Sequence, residues 1–108
     1  HGTGTDKASE IYISSIKTPY DKDNGEYQIS FILDESVECL MIGIKLGSDD
    51  DNMTRAEISH ASTNGKSLII KNGMVEMGAG SEGEKKILRV KLAESDRKTL
   101  EVRAYAKH

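Results

Sequence analysis

The residues best suited to chemistry in this chain are two short acidic stretches. Asp49-Asp50-Asp51-Asn52 gathers three carboxylates and an amide, and Asp21-Lys22-Asp23-Asn24-Gly25 offers two more carboxylates ahead of a glycine. Calcium takes about six to eight oxygen ligands at flexible distances, and acidic turns can supply several of them. The second stretch departs from an EF-hand loop, because its glycine comes one residue early and the distant glutamate is missing. Asp21, Asp23, Asp49, Asp50 and Asp51 are therefore the candidate calcium ligands, and calcium is the one cofactor the sequence supports. The competing reading is a pair of ordinary solvated turns.

Nucleophilic and redox chemistry find less support. Cys39 is the single thiol, so an intrachain disulfide and a multi-cysteine metal site are both excluded. It sits within an apolar run with no histidine or basic residue beside it, which predicts a buried, inert thiol. No G-x-S-x-G, H-E-x-x-H or H-x-E with C-x-x-C is present, so no catalytic residue is nominated and no enzymatic activity is expected. His60 follows Ala56 and Ile58 at the same parity and reads as a cap on the core edge. His1 would need a second imidazole to hold copper, with only His60 and His108 on offer. Met41, Met53, Met74 and Met77 are scattered, which favours core filling over a soft-metal site. Gly78 to Gly83 can be written G-x-G-x-x-G, but a dinucleotide fingerprint opens a helix and Glu84 to Leu92 reads as a strand. That stretch is expected to be a flexible loop carrying the chain between sheets.

The elements that position these residues follow from length and pattern. A chain of 108 residues makes one domain, and 36% apolar with 31% charged residues is a globular composition. No apolar run approaches the roughly 18 residues that cross a bilayer, so no membrane insertion is expected. Residues 1 to 8 read as a flexible lead-in and 9 to 108 as a single domain; an export signal, if there was one, has been removed. The lone cysteine fits a reducing cytosol or an exported protein without disulfides equally well.

Apolar periodicity is close to two almost throughout, and turn residues interrupt it at short intervals, which predicts about seven to eight strands and no helix. Tyr27, Ile29, Phe31 and Leu33 share one face, as do Leu88, Val90 and Leu92, and Leu100, Val102, Ala104 and Ala106. Between Val37 and Leu46 both faces are apolar: Leu40, Ile42, Ile44 and Leu46 on one, Val37, Cys39 and Met41 on the other. This predicts a central strand or a face offered to a partner. Asn64-Gly65 and Asn72-Gly73 predict two tight hairpins, the second at a sheet edge. Met74, Met77, Val37 and Met41 are the resulting interface candidates.

Charge is uneven: residues 21 to 57 hold ten acidic and three basic side chains, residues 58 to 108 six acidic and ten basic. That could make a dipolar molecule able to stack on a second copy of itself, with Lys85, Lys86, Arg89, Lys91, Lys98 and Arg103 on a basic face. Nucleic acid is not expected as a partner, because the net charge is -3 and four tyrosines with one phenylalanine are too few for base stacking. Tyr12, Tyr20 and Tyr105 are the only platform available for a glycan.

Short strands with frequent turns describe an all-β antiparallel sandwich, and the pattern resembles the immunoglobulin-like domains of bacterial exported and surface proteins. The resemblance implies a non-catalytic accessory or protein-binding module, placed outside the cell, in the periplasm or on the cell surface. Its partner would be another protein or a neighbouring domain, or alternatively calcium or a glycan held by loops. Leu88 to Ser95, with Pro19 and Asn24-Gly25, also faintly resembles the immunoglobulin-like sulfur carriers of thiosulfate oxidation. Those carriers use a cysteine on a glycine-rich C-terminal tail, and Ala106-Lys107-His108 provides none.

Overall fold

The computed structural model describes residues 8–47, 53–93 and 99–107. They form twelve strands and no helix: β1 Ser9–Ile11, β2 Ile13–Lys17, β3 Tyr20–Asp21, β4 Glu26–Leu33, β5 Val37–Gly47 and β6 Met53–Arg55, followed by β7 Ile58–Thr63, β8 Lys66–Ser67, β9 Ile69–Lys71, β10 Met74–Gly80, β11 Lys85–Leu92 and β12 Thr99–Lys107. Two antiparallel sheets pack as a sandwich. The first runs β1-β12-β5-β10-β9 with β6 also on β5; the second runs β2-β4-β11-β7-β8 with β3 also on β4.

The alternation in β4, β11 and β12 builds the interior. Ile29, Phe31 and Leu33 from β4 and Leu88 and Val90 from β11 are fully buried, opposite Leu40, Ile42 and Ile44 from β5. Each such side chain contributes about 1.5–3 kcal/mol by leaving water. β5 lies in the middle of its sheet between β12 and β10, as its two-sided apolar character predicts. Both Asn-Gly pairs have positive φ at both residues (50° and 81° at Asn64-Gly65, 54° and 76° at Asn72-Gly73), the signature of type I′ turns.

More strands appear than the turn signals imply because three extended runs change sheet without a turn and the first of them also breaks at Thr18-Pro19. β1 passes to β2 at Tyr12, β6 to β7 through Ala56-Glu57, and β8 to β9 at Leu68. The crossing backbone stays paired: Ala56 N–H donates to Ile44 O at 2.9 Å and Leu68 N–H to Ala61 O at 2.8 Å.

Bulges overturn three expectations of facing. On β10, Met77 is an extra residue between the pairs Glu76↔Met41 and Gly78↔Leu40; on β5, the next step to Gly80↔Val37 carries one extra residue in turn. Val37 therefore points inward and is buried, Met77 packs against the core, and Cys39 is half-buried on the outer side rather than buried. On β7 an extra residue opposite Lys91 and Leu92 turns His60 outward, exposed, between buried Ile58 and Ala61.

The glycine-rich stretch is also more regular than a flexible loop, although it does cross between the sheets. β10 continues to Gly80, and a tight turn follows in which Glu84 accepts the Ser81 N–H at 2.9 Å and donates its own N–H to Ser81 O at 3.0 Å. Gly83 N–H bonds Leu33 O at 2.8 Å, and Leu33 N–H bonds Glu84 O at 3.0 Å.

Strands from the acidic and the basic segments occur side by side in both sheets. Arg89 on β11 reaches Asp21 at 3.5 Å and Glu26 at 3.9 Å. Arg103 sits on the other sheet, and Lys98 lies outside the described residues. The six basic residues therefore do not share one face.

Candidate functional site

Asp21 ends the two-residue strand β3, and its carboxylate is occupied by its own turn. Oδ1 accepts the N–H of Asp23 at 3.0 Å and of Asn24 at 3.3 Å, while Oδ2 accepts the Asn24 side-chain amide at 2.7 Å. The Asn24 side-chain bond foremost, then the two backbone bonds and the Arg89 charge, hold the carboxyl below the ordinary aspartate value against a partial desolvation. Asp23 is exposed beside it. Asp49, Asp50 and Asp51 lie outside the described residues, and among those described no three His, Cys, Asp or Glu side chains gather at one point.

The sign of the Asp21 shift sets a pH dependence. A carboxyl with a lowered folded-state pKa contributes stability above its unfolded value, and that contribution is lost as pH falls through the folded value. Melting temperature is expected to fall on acidification through and below the ordinary aspartate range, and Asp21→Asn to flatten that slope. A melting curve series with the same slope in both proteins would remove Asp21 from the effect.

Where the sequence offered Met41 and Met74 as contact residues, the structure joins them to two that it did not pair with them, Gly43 and Tyr105. Gly43 lies at the centre of β5, opposite Arg103 of β12, and Met41 lies opposite Tyr105 on one side and Glu76 on the other. A Cβ on Gly43 would stand 3.6 Å from both Met74 Cγ and Tyr105 Cε2 and 3.8 Å from Met74 Sδ. The thioether and the phenol ring thus lean over the space where β5 has no side chain, a soft and polarizable contact.

Charges surround this centre. Arg103 Nε bonds Glu101 at 2.6 Å and its Nη1 reaches Glu10 at 3.4 Å, which holds the guanidinium pKa above its ordinary value. Arg55 Nη1 donates to Asn72 O at 3.1 Å across the hairpin tip. Gly43, Lys45, Arg55, Met74, Arg103 and Tyr105 line a shallow depression here. Ile69, 67% exposed, extends the same face through its pairing with Glu76. The face thus has a half-apolar centre inside a charged rim.

The other sequence candidates scatter. Val37 and Met77 belong to the interior, as described above. Tyr12 is exposed where β1 passes to β2, Tyr20 packs on Tyr27 with ring centroids 4.8 Å apart, and Tyr105 lies on the first sheet. The three tyrosines therefore do not form one platform. Glu84, held below the ordinary glutamate value by the Ser81 N–H and by Lys86, serves the β10–β11 turn.

These features define an antiparallel β-sandwich with a mixed apolar and charged outer face on one sheet. No protein-family model, curated protein or solved structure matches the chain.

Proposed function

We propose that the chain is a non-catalytic, immunoglobulin-like module of a larger exported or cell-surface protein. It binds a protein partner or neighbouring domain through the outer face of β12, β5 and β10. The observation that carries this reading is the placement of Met74 and Tyr105 over Gly43, with Met41 alongside. A sheet that needed only solubility would place polar side chains at these central positions. Here the strand offers a hollow flanked by a flexible thioether and an aromatic ring, residue types enriched in contact surfaces. The resemblance of the strand pattern to exported sandwich domains supports the cellular setting.

Hydroxyl-radical footprinting tests it. Met41, Met74 and Tyr105 should oxidise readily in the purified chain and be protected in native extracts of the source cells, whereas Tyr12, 85% exposed, should react in both. Equal oxidation of Met41, Met74 and Tyr105 in the two preparations would eliminate this face as the contact.

A further inference from the structure

The second sheet carries an unrelated feature at the bulge of its edge strand. Between the pairs Ser14↔Ile32 and Lys17↔Ser30, β2 spends two residues, Ser15 and Ile16, where β4 spends only Phe31. Ser15 takes φ 53°, and it is the only described residue with positive φ that is neither asparagine nor glycine. The first position of such a left-handed bulge is ordinarily glycine, because a Cβ is strained there. A strained side chain retained outside a turn is an observation that points toward function.

What surrounds Ser15 supplies the chemistry. Ser15, Lys17, Ser30, Phe31, Ile32 and Lys85 line a cleft of about 260 Å3. Neither Lys17 nor Lys85 makes an ion pair with a described residue, and no described acid lines the cleft. Asp34, the acid tied to this strand, is bonded by the Ser14 hydroxyl at 3.0 Å. Two other basic residues of β11 are answered, Lys86 by Glu84 and Arg89 by Asp21 and Glu26, whereas Lys91, also unpaired among the described residues, has no second lysine facing it across a cleft. Two unanswered ammonium groups and two hydroxyls around one opening form a donor set for a tetrahedral oxyanion.

We infer that this cleft binds a sulfate or phosphate group, with Lys17 and Lys85 supplying charge and Ser15 and Ser30 supplying hydroxyl donors. The bulge sets Ser15 beside the two lysines, and the half-buried Ile32 offers an apolar wall to whatever carries the anion. The inference is independent of the protein-contact face, which lies on the other sheet.

Titration of the labelled protein with sodium sulfate and with sodium phosphate, at ionic strength fixed with chloride and followed by amide chemical shifts, tests it. Saturable shifts centred on Ser15, Lys17 and Ser30 are expected. Phosphoserine and a sugar 6-sulfate, titrated in parallel, distinguish which carrier the apolar wall favours. Removing one charged donor weakens an anion roughly tenfold, so the exposed pair K17Q/K85Q should lose saturation while melting as the parent does. Ser15→Gly should melt higher, having shed left-handed strain, yet bind the anion more weakly. Shifts that do not saturate, unchanged affinity in K17Q/K85Q or in Ser15→Gly, or an equal loss in the control K91Q/K107Q would overturn the assignment.

Discussion

Phe31→Ala is expected to lower the unfolding free energy by about 3–5 kcal/mol. Phe31 is the largest of the fully buried side chains, and it occupies the middle of β4, where that strand is flanked by β2 and β11. Aromatic truncation removes both the transfer free energy of the ring and the contacts its neighbours made with it. A domain of this size holds only about 5–15 kcal/mol in total, so the variant should sit near the edge of folding. Urea unfolding is the appropriate measurement, with a lowered midpoint and an unchanged slope. A loss below about 1 kcal/mol would contradict a single core closed around this residue.

Gly80→Ala should cost about 1–3 kcal/mol, although it adds one methyl group. Gly80 ends β10 opposite Val37, and a Cβ there would collide with Leu33 Cδ1, while Lys86 Cε stands at 3.1 Å. The lysine chain can move aside. Leu33 is 1% exposed within the packed interior and cannot do so without displacing its own neighbours. The penalty should therefore shrink when Gly80→Ala is introduced into Leu33→Ala, a coupling that a double-mutant cycle reads directly. A full penalty persisting in that background would show that the collision is not its source.

The strands with one wet face were the most legible. β4, β11 and β12 each bury three alternate residues over five positions, and no extra residue within them disturbs the period. The two Asn-Gly turns were equally readable because their chemistry is local, carried by backbone angles that few other dipeptides adopt cheaply. Val37, Met77 and His60 escape a parity count for the opposite reason. A bulge is fixed by the register of a partner strand far away in sequence, so parity counted along one strand slips by a residue without any local sign.

The candidate face was half legible on the same grounds. Met41 stands out as an apolar residue on the second face of its strand and Met74 as part of an edge hairpin, but their meeting with Tyr105 over Gly43 needs three strands brought side by side. Ser15 carried no signal, since a left-handed serine is invisible until its register is known. Asp21 stands out in the sequence by its charge, but the bonds from the Asn24 amide and the backbone of its own turn become visible only in the fold.

Three continuous strands of chain are shared between the layers, at Tyr12, at Ala56-Glu57 and at Leu68. A sandwich whose layers were joined only by slack connections could let one slide or peel while the other survived. Here any shear between layers must flex main chain that is hydrogen-bonded on both sides of the bend. Mechanical load is thereby spread through the whole body, and the molecule has no half that can come away by itself.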